Sequence, residues 1–183
     1  MAVFFVGLAL LLIVIWGTFA YHRIIHYQKL ADSSWEDIAA HLHHRWDLIP
    51  DLVRVARTAA PQAESVFSAI DGARNEAVEA PGPSEIAEAE AVLQQTLFTL
   101  FQLVEEEPKL SADTEFARLQ KELADAEDEI QMQRKFYNVV VRELNEVVST
   151  FPRSMVAAVF GLGARDYFAT EEQLRGEIRT VIV

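Results

Sequence analysis

Five histidines, His22, His26, His41, His43 and His44, cluster near the amino end of this chain. His22 and His26 are four residues apart and His41 and His44 three, so on a helix each pair shares a face and could chelate a divalent metal. A third ligand at matching spacing is missing, with Glu36 and Asp37 the only nearby carboxylates, so solvated or interfacial imidazole is the expected role. The chain contains no cysteine. Disulfides, thiol nucleophiles and thiolate metal sites are thereby excluded. Gly161-x-Gly163 follows no strand and so does not read as a phosphate-cradling loop. Nothing points to a Ser-His-Asp arrangement. The residues therefore predict no catalytic group, no metal and no cofactor.

A second polar set interrupts otherwise apolar seams. Arg45 falls on the inner side of a first helix, and Arg74 follows Ala73 on a second. Glu127, Arg134, Asn138 and Asn145 step along one edge of a long helix at intervals of seven, four and seven. A charge in such a seam is costly unless paired, which predicts that Glu127 meets Arg45, Arg74 or Arg134. The expected role is to fix helix register and partner choice, as buried polar groups do in coiled coils. The competing role is a ligand or catalytic site inside the bundle.

The elements that must hold these residues read as helices throughout. No stretch sustains period-two alternation. From Trp35 the apolar positions Ile38, Leu42, Ile49, Leu52 and Ala56 keep a spacing near 3.5 residues. One helix is thus predicted from the amino end to about residue 60, interrupted only near Ser33-Ser34 and at Pro50, where a lost backbone donor kinks or breaks it. A shorter helix follows from Gln62 to Ala80, with Val66, Ile70, Ala73 and Ala77 on one face. Pro81-Gly82-Pro83 ends it, and Ser84 can cap a third helix over Glu85 to Glu106. After Pro108, Asp113 or Ser111 caps the most regular segment. There Phe116, Leu123, Ile130, Tyr137, Leu144 and Phe151 recur every seven residues, interleaved with Leu119, Ala126, Val140 and Val147. This predicts one helix of about 38 residues, about 55 Å long, ended by Pro152. Such a seam needs partner helices to cover it. The expected fold is all-α, an extended antiparallel helical bundle with one N-terminal transmembrane helix.

That last element rests on Ala2 to Tyr21, which carry no charged side chain. About 20 such residues cross the ~30 Å hydrocarbon layer as a helix, and Trp16 and Tyr21 sit where aromatic rings favour headgroups. No Lys or Arg precedes the run and no small-x-small site follows it, so a retained anchor is expected rather than a cleaved secretory signal. His22, Arg23 and Lys29 follow the span, which places the rest of the chain on the cytoplasmic side. The domains are read as 1–22 anchor, 23–168 bundle and 169–183 tail, with a last short helix from Glu171 to about Arg179. The net charge of -12 argues against a nucleic-acid partner. It also weakens any general attraction to anionic lipid. The acidic runs at Glu105 to Glu107 and along Glu122, Asp125, Asp128 and Glu129 read as solvated helix faces.

Near the carboxyl end, Met155 to Gly163 is a short apolar run bounded by glycines. Met155, Val156, Val159, Phe160, Leu162, Tyr167 and Phe168 form a candidate interaction surface. The run packs back on the bundle as a flap, or serves as a plug for the membrane surface or a neighbouring protomer.

These residues together resemble the LemA family of membrane-anchored bacterial proteins. The resemblance covers about residues 30 to 168. Its densest piece is Asp47-Leu48-Ile49-Pro50-Asp51-Leu52-Val53, close to that family's DLIPNLV, followed by the Ala73-Arg74 pair. Pro108, Leu110, Phe116, Leu119-Gln120 and Leu123 come next. Glu127, Ile130, Arg134, Tyr137-Asn138, Val141, Asn145, Phe151-Pro152, Phe160-Gly161 and Phe168 then fall in order at family spacing. Asp51, His43, His44 and Leu144 depart from the pattern. The resemblance implies an anchor in the bacterial cell membrane with its short amino end outside, a helical cytoplasmic domain and no established catalysis. The expected function is a non-catalytic scaffold or adaptor, a homo-oligomer in the lipid bilayer that holds a membrane protein partner. The alternative is a metal-dependent or other hydrolase at the membrane.

Overall fold

Helices account for all regular structure in residues 1–169, the part that the computed structural model describes. Helix α1 runs over Ala2–Ala59 and a 3-10 turn over Pro61–Ala63. Then come α2 at Glu64–Glu79, α3 at Pro83–Glu106, α4 at Pro108–Ser111, α5 at Thr114–Ser149 and α6 at Arg153–Phe160. The fold is an all-α bundle preceded by one long apolar helical segment. The expected closing helix from Glu171 lies outside the described residues.

Local chemistry explains most boundaries. Pro83 opens α3, since its fixed φ suits a first turn whose N–H groups are unpaired anyway. Ser84 therefore sits inside the helix, and the side-chain cap expected of it is not made. Asp113 caps α5, its Oδ1 accepting bonds of 2.9 Å from the backbone N–H of Glu115 and of Phe116. Gly161 ends α6 in the left-handed conformation at φ 66°, where a side chain would be strained.

Two expectations fail along α1 and α5. The helix α1 continues through both Ser33-Ser34 and Pro50. Ser34 is buried and donates to the Leu30 carbonyl at 2.6 Å, so its hydroxyl is satisfied without leaving the helix. At Pro50 the burial of Trp46, Ile49, Leu52 and Val53 outweighs a lost helical bond. The heptads of α5 are buried from Phe116 to Val147, but Phe151 lies beyond the helix end and is exposed. The period was carried one step too far, past the residue where the backbone turns.

The chain packs as two compact units. One comprises residues 1–36 and 135–166. Its core is Ile24 and Ala31 of α1 with Tyr137, Val140, Val141, Leu144 and Val147 of α5, and the rings of Trp35 and Tyr137 lie 5.6 Å apart. The other comprises 37–134 and, of the described residues beyond the first unit, 167–169. In it α1 and α5 run antiparallel, Arg45 meeting Glu127 and Arg54 meeting Glu115. Helices α2 and α3 pack beside them over Leu42, Ile49, Phe67, Ile70, Leu93, Leu100 and Leu123. Residues 2–19 contribute nothing to either core; their side chains are exposed or half-buried.

Candidate functional site

The most unusual chemistry sits in the second unit, where three long helices each place one charged side chain at the same level. Arg45 of α1 donates through one terminal nitrogen to Glu90 Oε2 of α3 at 2.5 Å and to Glu127 Oε2 of α5 at 2.6 Å. Arg45 and Glu90 are 2 % and 5 % exposed. Trp46 Nε1 donates to the other Glu90 oxygen at 2.6 Å. Gln94 and Gln131 donate to the other Glu127 oxygen at 2.7 and 2.6 Å. Each of the four carboxylate oxygens thus accepts at least one bond, while Arg45 Nε is buried with no partner.

Two carboxylates on one guanidinium leave a formal surplus of one negative charge. Burial pushes the Glu90 carboxyl above its ordinary range. The nearby Glu127 charge pushes the same way, and Arg45 and Trp46 oppose both without cancelling burial. A perturbed acid of this kind is a recognised sign of a working site. Here, however, the acid is enclosed and its oxygens are occupied by protein donors.

Arg45, Gln94 and Glu127 form a wall between two recesses. One, of about 300 Å³, is open and mostly apolar, bounded by Leu97, Phe98, Phe101 and Leu123. The other, of about 30 Å³, is polar and bordered by Glu90, Gln131 and Arg134. It is on the order of one water in size.

Arg74 takes a different role. Its Nε donates to the backbone carbonyl of Trp46 at 2.7 Å. Trp46 is four residues before Pro50, so its carbonyl is the one that the missing proline N–H leaves without a helical partner. Arg74 of α2 therefore replaces the bond that Pro50 removes, which accounts for α1 not breaking at this proline. Arg74→Ala is expected to cost about 1–3 kcal/mol through an unsatisfied carbonyl. In the Pro50→Ala background, where the helix supplies its own N–H, most of that loss should vanish. A double-mutant cycle by chemical denaturation gives the coupling; equal losses in both backgrounds would refute the replacement.

The remaining members of the predicted polar layer do not join this cluster as one unit. Arg134 borders the smaller recess. Asn138 is half-buried in the first unit. Asn145 clasps the backbone of Arg165, its Nδ2 donating to the Arg165 carbonyl at 2.9 Å and its Oδ1 accepting from the Arg165 N–H at 2.8 Å. Arg165 pairs with Asp32 at 2.6 Å. The Tyr137 hydroxyl donates to the Asp166 carbonyl at 2.9 Å, and burial above all pushes its pKa up to about 12, so it stays a donor across the physiological range. These bonds strap residues 165–166 to α1 and α5.

The candidate interaction surface divides. Met155, Val159 and Phe160 of α6 are exposed, Val156, Leu162 and Tyr167 half-buried, and Phe168 buried. Phe168 is thereby corrected from surface to packing residue; it closes the smaller recess beside Arg45. Of the histidines, His43 and His44 are exposed, and the His43 ring meets Trp46 edge-on at 5.0 Å. Among the described residues no three His, Cys, Asp or Glu side chains are grouped to hold a metal.

Sequence reasoning missed Glu90 and Trp46. The signal for Glu90 was present: it lies four residues after Ile86 and three before Leu93, a seam position on α3 occupied by a charge.

Residues 34–181 match the sequence model of the LemA family. No curated protein matches the chain in sequence.

Proposed function

The chain belongs to the LemA family, and on that footing we propose that it is a membrane-anchored, non-catalytic scaffold that self-associates laterally. The observation that carries this is an exposed apolar row on α5. Met132, Phe136 and Val139 follow one another at i, i+4 and i+7, and all three are about half exposed or more. Such a row is what a helix presents to a neighbouring helix, and the described residues leave it uncovered. The exposed segment 2–19 is long and apolar enough to cross a bilayer. Molecules held this way are aligned in two dimensions, so weak lateral contacts act at a high effective concentration. The Arg45 cluster supports the same role. Its four carboxylate oxygens are all occupied by protein donors, which suits a lock on the register of three helices.

The function that follows is the organisation of a patch of cell membrane, or the retention there of a membrane protein partner, with the bundle on the cytoplasmic side. Mass photometry of the full chain in mild detergent and in nanodiscs should find oligomers. The pair Met132→Glu with Phe136→Glu should reduce them to single copies without unfolding the bundle. Monomers of the unaltered protein at every concentration would remove the basis of the proposal.

A further inference from the structure

Helix α6 is amphipathic in the wrong sense for a helix in water. On its inner side Ala157 is buried, while on its outer arc Met155, Val159 and Phe160 are 61 %, 78 % and 59 % exposed. Phe151, just before it, is 76 % exposed. A soluble surface helix carries charge on that arc, and α6 has none there.

Its position identifies the cover. Phe160 packs against Tyr21 with ring centroids 4.7 Å apart and planes tilted by 51°, and Tyr21 closes the apolar run that α1 carries from Ala2. The strap that follows α6, with Arg165 held by Asn145 and Asp32, anchors it on the same unit. So α6 lies at the level where α1 leaves its uncharged stretch.

Charge points to the same place. None of the 28 acidic residues falls in 1–31 or in 147–165, yet these two stretches hold Arg23, Lys29, Arg153 and Arg165. In a chain of net charge -12, these two stretches, the longest without an acidic residue, belong to one compact unit. Arg165 is spent on Asp32, while Arg23 and Lys29 are exposed and Arg153 half-exposed. These two stretches therefore repel anionic lipid least.

We infer that α6 is an interfacial membrane helix whose outward apolar arc lies in the headgroup zone of an anionic lipid surface, beside the point where α1 enters the bilayer. Phe151, Met155, Val159 and Phe160 enter the boundary of the acyl chains, to about 5–10 Å as such helices do. Arg23, Lys29 and Arg153 meet lipid phosphates. The inference rests on α1 as the anchor and adds a second contact, which fixes the tilt of the first unit on the membrane.

Because the chain has no cysteine, single reporters are simple to introduce. Full-length Val159→Cys, Phe5→Cys and Thr99→Cys, each labelled with bimane, are reconstituted into phosphatidylcholine vesicles carrying brominated acyl chains, with or without phosphatidylglycerol. The label at 159 should lose roughly half of its emission or more, as befits interfacial depth. The loss should be greater with phosphatidylglycerol, and Arg23→Gln with Arg153→Gln should remove that increment. The label at exposed Thr99 should be unaffected. Quenching at 5 without quenching at 159 overturns the inference and leaves the anchor standing. Quenching at neither overturns both. Cross-linking between copies through position 159, with no lipid quenching, makes the occupant a second copy and also overturns it.

Discussion

Arg45→Met is expected to destabilise the bundle by about 3–5 kcal/mol, because removing one partner of a buried ion cluster strands the others. Methionine matches much of the arginine volume, so the loss reports charge rather than a cavity. Glu90, 5 % exposed, would keep only the Trp46 donor, with Glu127 repelling it nearby. The pH dependence follows from the direction of its shift. A carboxyl that binds its proton more readily folded than unfolded makes the fold lose stability as pH rises from the unfolded value to the folded one. Without Arg45 the folded value climbs further, so that window extends upward. The loss caused by Arg45→Met is therefore largest near neutral pH and shrinks toward pH 4.5, the ordinary glutamate value. Denaturant titration across this range measures it. A loss that stays constant with pH would mean that Glu90 is not the stranded group.

Removing residues 2–18 should move the protein from the membrane pellet to the supernatant. These residues include no buried side chain, while Ala20 and Ile24, which are buried, are kept. The bundle should therefore stay folded, with its helical signal diminished only by the deleted turns. The full chain should resist alkaline carbonate extraction, as a helix of about 20 apolar residues does. Release of the full chain by carbonate would count decisively against a spanning helix. A trace of salt-sensitive vesicle binding in the deleted form is the expected contribution of α6, since an interfacial helix alone holds weakly and reversibly.

The helical class, the apolar amino-terminal stretch and most of the α5 seam were legible in the sequence because each rests on a repeat carried over many residues. A period supported by Phe116, Leu123, Ile130, Tyr137 and Leu144 survives one misplaced member, and Phe151 was that member. Single-residue signals were less reliable. Pro50 and Ser33-Ser34 are weak helix positions by propensity, but a distant donor at the one and a local side-chain bond at the other decide the outcome. Arg74 supplies the bond that Pro50 lacks, and Ser34 bonds to its own helix. No local rule reveals a donor 28 residues away. The site was half visible for a related reason. Glu127 demanded a cation and Arg45 was among the three named, but Glu90 escaped because its seam position was filled by the wrong class of residue. Phe168 belongs by sequence to the apolar carboxyl-end group, and its burial depends on residues such as Arg45 and Glu90 that are distant in the chain.

The unbroken course of α1 has a consequence for how the molecule is oriented. Ala20, Ile24 and Ala31 of α1 are buried, so in the first unit one strip of this helix faces protein directly beyond the apolar stretch. Residues 2–31 lie on one continuous helix, so the azimuth of residues 2–19 is tied to that strip. A single residue inserted near Arg23 would rotate one part against the other by about 100°. Whatever two such helices recognise in each other within lipid is thereby delivered to their first units at a fixed phase.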